Sequence, residues 1–256
     1  MTIAPREIRA QDISTAWIEA LTLVDSLRGR KAFHLPVHIG SPTAERQDIR
    51  RLADDLLAAL GLPKISTVRN TIFPAELARR SPEPADLAER YLKLYPRLLR
   101  QPSNRGGTYF GRMVALPTPN GAIDQLLDTV TKLRRAANGR RMSSTYEIEL
   151  ERESDLAIYS AAHDSRKMMG FPCLSYCSFH LDIDVVHLAA FYRSHYLIER
   201  AYGNYLGLGE LLEYVANASG LRVGQLFVLS GFARIEQARV KVRPFLNKAR
   251  RLVAAH

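Results

Sequence analysis

The sequence predicts an α+β fold: a mixed sheet with a buried central helix, preceded by a helical N-terminal third. Helix-period apolar patterns fill the first part of the chain. From Tyr146 onward the character changes to short runs rich in aromatic and β-branched residues, and a single strongly apolar helix interrupts them.

Taken in order, residues 12–27 place Ile13, Ala16, Trp17, Ala20, Leu21 and Val24 on one helical face, and Gly29 ends that helix. Thr43 reads as the N-cap of a second helix over 43–60, with Glu45 in its first turn and Gly61 and Pro63 after it. Pro82 and Pro84 punctuate the next connection, 85–99 reads as a third helix, and 101–107 as an internal hinge. Pro117-Thr118-Pro119-Asn120-Gly121 is a turn by composition. The helix after it carries Ile123, Leu126, Leu127, Val130 and Leu133. Strands are expected at 156–160, 173–183, 185–192 and 223–229, with a buried helix over 206–219 closed by Gly220. A single domain over 1–256 suits the length.

The 36 Lys and Arg outnumber 26 Asp and Glu, giving a formal net charge of +10. Such a balance suggests phosphate-bearing or acidic partners without separating a nucleotide from RNA. Arg134, Arg135, Arg140 and Arg141 are either a solvated helix end or a phosphate patch. Two cysteines are too few for a disulfide framework and suggest a reducing, cytoplasmic setting. Residues 1–11 lack the apolar stretch of a secretory signal, and no segment approaches a membrane span. His163, His180, His187 and His195 show no metal-ligand spacing with Cys173 or Cys177, so no metal site is expected. His180 and His187 read as surface residues of a hairpin.

The chemistry-bearing residues are informative when read together. Cys173 follows Pro172 at the start of an expected strand, where a thiol stands at the mouth of a sheet. Arg193-Ser194 lies 20 positions later, and Asn204 follows Arg193 by 11. A buried helix and an apolar strand opening with Gly224 come next. Upstream stand Pro117-Thr118-Pro119-Asn120-Gly121 and Ile123-Asp124-Gln125. Over roughly residues 109–236 this pattern resembles the thymidylate synthase and pyrimidine nucleotide hydroxymethylase family.

The resemblance implies a thymidylate synthase-like fold, a homodimer, a pyrimidine nucleotide substrate and 5,10-methylenetetrahydrofolate as one-carbon donor. It assigns Cys173 as the nucleophile that adds to C6 of the ring. Arg193 would stabilise the thiolate and, with Ser194, hold the nucleotide phosphate. Asn204 would read the base edge, and Tyr109 matches the tyrosine that assists proton removal at C5. Arg234 and Glu236 fall on the sugar-binding His-x-Tyr pair, and Tyr196 on the aspartate that contacts the folate pterin. Arg152 is the sole basic residue where the family has paired arginines that reach a partner's phosphate, and Glu76 is a candidate for its N-terminal catalytic glutamate. The chain ends at His256, 20 residues past Glu236, where the family continues with strands and a segment that closes over ligands.

Two functions follow. One is an enzyme that adds a methyl or hydroxymethyl group to C5 of a pyrimidine nucleotide. The alternative is a non-catalytic nucleotide- or RNA-binding protein derived from the same fold, which the altered positions and the basic charge would suit.

Overall fold

The computed structural model describes residues 7–101, 104, 106–118, 121–138, 155–159 and 172–255. Strand β1 (Ile8–Ala10) leads into helix α1 (Ile13–Ser26), whose N-cap Asp12 accepts from Thr15 N–H at 2.9 Å and from the Thr15 hydroxyl at 2.7 Å. Gly29 adopts φ 71° in the turn that follows, which a residue with a Cβ resists, and the chain turns into strand β2 (Lys31–Ile39). Helices α2 (Gln47–Ala59), α3 (Ile65–Ile72), α4 (Ala75–Ala78), α5 (Pro84–Leu99) and α6 (Tyr109–Val114) come next. The hairpin β3 (Leu116–Thr118) and β4 (Gly121–Ile123) precedes α7 (Gln125–Asn138).

The second half supplies β5 (Asp155–Ala157), β6 (Leu174–Asp182), β7 (Val185–Tyr192) and the two-residue β8 (His195–Tyr196). A π-helical turn (Leu197–Ala201) opens into α8 (Tyr202–Ser219), which Gly220 terminates at φ 69°. Strand β9 (Arg222–Arg234) and helix α9 (Arg239–Ala254) complete the described chain. Among the described residues, seven strands form one mixed sheet in the order β1-β2-β9-β7-β6-β5, with β8 parallel to the end of β9.

The expected α+β architecture with a buried central helix is present. The N-terminal third is helical as expected but also contributes β1 and β2 to the sheet. Strand β2 escapes a period-2 reading because His34 has φ 51° and Pro36 interrupts the run, leaving buried Ala32 and Leu35 three residues apart. Helix α2 starts at Gln47, not beside Thr43, and Ile123 belongs to β4 instead of the helix. Arg134 is structural: its Nε donates to the Ala218 carbonyl at 2.7 Å and its Nη2 reaches both Glu83 oxygens at 3.0 Å. Arg140, Arg141, Arg152 and His163 lie outside the described residues.

Helices cover one face of the sheet, with α8 against β7 and β9. The interior of α8 is apolar almost all round, which fits a helix surrounded by protein. Its glycines admit close neighbours. A Cβ on Gly203 would meet Val68 at 2.7 Å, and one on Gly207 would lie 2.6 Å from Ile72 Cβ and 2.8 Å from the Arg69 carbonyl, both on α3. Trp17 ties α1 to the entry of α8. Its indole N–H donates to the Leu197 carbonyl at 2.7 Å, and its ring stacks on Tyr202 with centroids 4.7 Å apart.

Gly207→Ala should destabilise the protein although alanine favours the helix by about 1 kcal/mol. Overpacking against the α3 backbone costs about 1–3 kcal/mol and outweighs that gain. Urea unfolding should show a lower midpoint with an unchanged slope; a midpoint at or above wild type would contradict the close α3–α8 packing.

Candidate active site

The site is built on the β6–β7 hairpin. Leu174 pairs with Tyr192 and Tyr176 with Phe191, so β6 carries one extra residue, Ser175. That bulge sits one position past Cys173 and sets its surroundings. The Arg193 backbone N–H donates to the Cys173 carbonyl at 2.9 Å, so the 20-residue spacing is the register of an antiparallel hairpin. The Ser175 carbonyl accepts from Ile158 and Tyr159 N–H, and the Ser175 hydroxyl accepts from Arg193 Nε at 3.0 Å. The Arg193 guanidinium stands 3.5 Å from the centre of the Tyr159 ring.

Cys173 is half-buried and unpaired in disulfide terms, whereas Cys177 is a core residue of β6. Burial pushes the Cys173 thiol up, and the positive charges of Arg200, Arg193 and Arg234 pull it back. Sequence reasoning missed Arg200. Its signal was weak: Glu199-Arg200 is a charged pair inside an otherwise apolar entry to a buried helix. Arg200 is held by Glu199 at 2.7 Å.

Tyr109 opens α6, whose N-cap Thr108 accepts from Gly111 N–H at 3.0 Å and is itself bonded to the Tyr91 hydroxyl at 2.6 Å. Burial pushes the Tyr109 hydroxyl up to about 12, a charged Cys173 sulfur pushes the same way, and the Leu174 and Cys173 N–H groups and Arg200 oppose them. The phenol is therefore a neutral donor near pH 7, placed beside the thiol.

Arg193 leads through half-buried Ser194 into β8, where His195 pairs with Ala233 and Tyr196 with Arg234. The Arg234 guanidinium donates to the Tyr196 hydroxyl and lies 4.4 Å from the centre of its ring. Glu236 caps the helix entry: one carboxylate oxygen accepts from Glu199 N–H at 2.6 Å and the other from Ile198 N–H at 3.4 Å. Burial raises the Glu236 carboxyl pKa while those N–H groups oppose the shift. Asn204 lies in the first turn of α8, 3 % exposed, with Nδ2 at 3.0 Å from His195 Nε2. Glu76 stands at the surface in an ion pair with Arg79 at 2.6 Å.

The structure thus brings Cys173, Tyr109, Arg193, Arg200 and Arg234 into one electrostatic neighbourhood. It leaves Glu236 engaged by the backbone and Tyr196 engaged by Arg234. Among the described residues no group of His, Cys, Asp and Glu could hold a metal ion. No helix among them is long and apolar enough to cross a membrane.

Because burial raises the thiol pKa and the arginines oppose it, removing a cation should raise it further. Arg200→Met should move the pH profile of Cys173 alkylation to higher pH and slow the reaction several-fold near neutrality. An unchanged profile would contradict the contribution assigned to Arg200.

No protein-family model matches the chain. It is similar to a protein of Methanosarcina mazei named "Putative thymidylate synthase", 25% identical over 232 residues, 90% of this chain and 89% of that protein. A protein of the same name from Methanosarcina acetivorans is 25% identical over 230 residues, again 90% and 89% of the two chains. One from Methanococcoides burtonii is 29% identical over 116 residues, 45% of this chain and 48% of its own. The similarity extends well beyond the stretch that carries Cys173, Arg193 and Asn204, and it makes this chain a divergent relative of proteins named as thymidylate synthases.

Proposed function

We propose that the whole chain is one thymidylate synthase-like domain that adds a one-carbon group, methyl or hydroxymethyl, to C5 of a pyrimidine nucleotide. The supporting observation is the backbone bond from Arg193 to Cys173, which fixes a thiol among three guanidinium groups with a neutral phenol beside it.

The Cys173 thiolate adds to C6, and the displaced π electrons collect on O4 as an enolate. C5 then attacks a one-carbon unit at the formaldehyde oxidation level, whose bond to its carrier is afterwards replaced by water, giving hydroxymethyl, or by a hydride from a reduced donor, giving methyl. Loss of the C5 proton and expulsion of the thiolate restore the ring double bond. The arginines favour the thiolate at the first step, and Tyr109 can exchange a proton with the reacting face. Arg193 and Ser194 suit the nucleotide phosphate. Asn204 suits the base edge, and Arg234 lies beside them.

The resemblance implies 5,10-methylenetetrahydrofolate as donor. Tyr196 and Arg234 bind each other where it calls for a pterin-holding carboxylate, and the oxygens of Glu236 are taken by backbone N–H groups. The residues present do not fit a pterin held in that way, and only the methyl outcome requires a donor that also supplies a hydride. A reducing, cytoplasmic setting belongs to this reading.

A 5-fluoropyrimidine nucleotide cannot lose a proton at C5 and should trap the adduct. With methylenetetrahydrofolate present, intact-protein mass spectrometry should then show wild type heavier by the nucleotide together with the one-carbon unit and its carrier, and Cys173→Ala unmodified. The variant should keep nucleotide affinity within about tenfold. Adduct on the Cys173→Ala protein, or none on wild type despite binding, would contradict the proposal.

A homodimer through the open face of the sheet belongs to the same reading. Phe33, Tyr176 and Ile183 are exposed there or at its edge, and Phe191, Phe227 and Leu229 are half-buried. Sedimentation should show a dimer that Phe227→Asp converts to monomer; a monomeric wild type would overturn this.

One observation favours the nucleic-acid reading: the exposed side of α9 carries Lys241, Arg243, Lys248, Arg250 and Arg251, and the helix contains no acidic residue. That reading requires RNA affinity that falls steeply with salt and ignores Cys173.

A further inference from the structure

Elsewhere in the fold, half-buried arginines are matched by carboxylates. Arg30 meets Asp25 at 2.7 Å, Arg46 meets Asp48 at 2.6 Å, Arg50 meets Glu45 at 2.9 Å, and Arg69 meets Glu210 at 3.3 Å. Each carboxylate offsets the cost of taking a guanidinium out of water. Arg234 is also half-buried, yet among the described residues its partners are the Tyr196 hydroxyl, the Tyr196 ring at 4.4 Å and the Phe232 ring at 5.9 Å. None of these carries a negative charge, and Arg234 Nε is buried without a hydrogen-bond partner among the described residues.

The neighbouring charges do not make up the difference. Lys31 is the direct cross-strand neighbour of Arg234 on β2 and adds a second cation. Glu236, two residues further on, gives its oxygens to the Ile198 and Glu199 N–H groups, and Glu199 is paired with Arg200. The charge of Arg234 is nevertheless felt at the Cys173 sulfur, so it belongs to the same site. It approaches from another side than Arg193. The Arg193 side chain is anchored by Ser175 and Tyr159 at the β5–β6 end of the site, whereas Arg234 is anchored where β8 meets β9, and β7 separates β6 from β9 in the sheet.

We propose that Arg234 forms an anion subsite separate from Arg193, which receives a second phosphate or carboxylate group on the β8–β9 side of Cys173. Stacking on Tyr196 and the bond to its hydroxyl fix the plane of the guanidinium, so the charge is held in place for the anion to meet. The anion supplies what Asp25, Asp48, Glu45 and Glu210 supply to the other arginines. It is carried either by the nucleotide itself, as a second phosphate, or by the one-carbon donor bound beside it. That choice of ligands rests on the reading of this site as a pyrimidine site; the subsite itself does not.

The subsite is tested first without nucleotide, by alkylating Cys173 of the full-length protein with iodoacetamide in inorganic phosphate and in chloride of matched ionic strength. An anion at Arg234 cancels its pull on the thiolate, so phosphate should slow alkylation of wild type near neutral pH several-fold more than that of Arg234→Gln. Arg234→Lys keeps the charge and should retain most of the effect, which separates loss of charge from loss of fold. No phosphate effect, or an equal one in wild type and Arg234→Gln, would overturn the inference whatever the protein binds. Calorimetry with dUMP, dUDP and 2′-deoxyuridine 3′,5′-bisphosphate then identifies the carrier. If the nucleotide brings the anion, wild type should bind a doubly phosphorylated form about tenfold tighter than dUMP, and Arg234→Gln should reduce that gap to about threefold or less. A gap that Arg234→Gln leaves unchanged would overturn the inference. Equal binding of all three by wild type, with the phosphate effect present, would assign the anion to the donor. Failure to bind any of them, with the phosphate effect present, would reject the pyrimidine reading and leave the subsite standing.

Discussion

The hydrogen bond from the Arg193 N–H to the Cys173 carbonyl is the constraint on which the site depends. It continues the register of the Leu174–Tyr192 pair, and directly beyond that pair β6 contains one residue more than β7, a bulge that turns Ser175 out of the ladder. The displaced Ser175 then does two things at once. Its hydroxyl anchors the Arg193 side chain, and its carbonyl receives the end of β5, which brings Tyr159 under the guanidinium. Deleting Ser175 would leave the Leu174–Tyr192 and Tyr176–Phe191 pairs in register but remove the anchor of the Arg193 side chain and the acceptor for the end of β5.

Departures from the family pattern prove to be contacts with one another. Tyr196 stands where the resemblance calls for an aspartate and Arg234 where it calls for a histidine, and the parallel register of β8 with β9 sets these two side by side. A phenol and a cation stand where the resemblance calls for a carboxylate and an imidazole, so the local charge becomes more positive. Glu236, where the resemblance calls for a neutral ring, caps the helix entry. At this end Tyr196 and Arg234 bind each other and Glu236 is engaged by backbone N–H groups, while Arg234 Nε is buried without a hydrogen-bond partner among the described residues.

How much of this the sequence disclosed depends on where the determining forces act. Strand β7 was legible to the residue because Val185 to Tyr192 is a short run rich in β-branched and aromatic residues. Strand β2 was not, because the turned backbone at His34 and the proline at 36 break the period that a strand reading needs. Helix α9 also went unread, since its apolar stripe of Val242, Phe245, Leu246 and Ala249 is diluted by six basic residues and a proline. Cys173, Arg193 and Asn204 were singled out by the spacing that carries the resemblance, and the hairpin turns the first of those intervals into a backbone contact between Arg193 and Cys173. Arg200 faces Cys173 electrostatically and His195 contacts Asn204 across elements whose packing no local pattern specifies, and so only the folded chain revealed these relations.

The account stands or falls on whether Cys173 activates a pyrimidine at C5. Release of tritium from C5-labelled dUMP, dCMP, UMP and CMP, with and without methylenetetrahydrofolate, measures that chemistry in a single assay. Release that requires Cys173 from at least one nucleotide is the predicted result. Absence of release from all four, or release that persists in the Cys173→Ala protein, would contradict it.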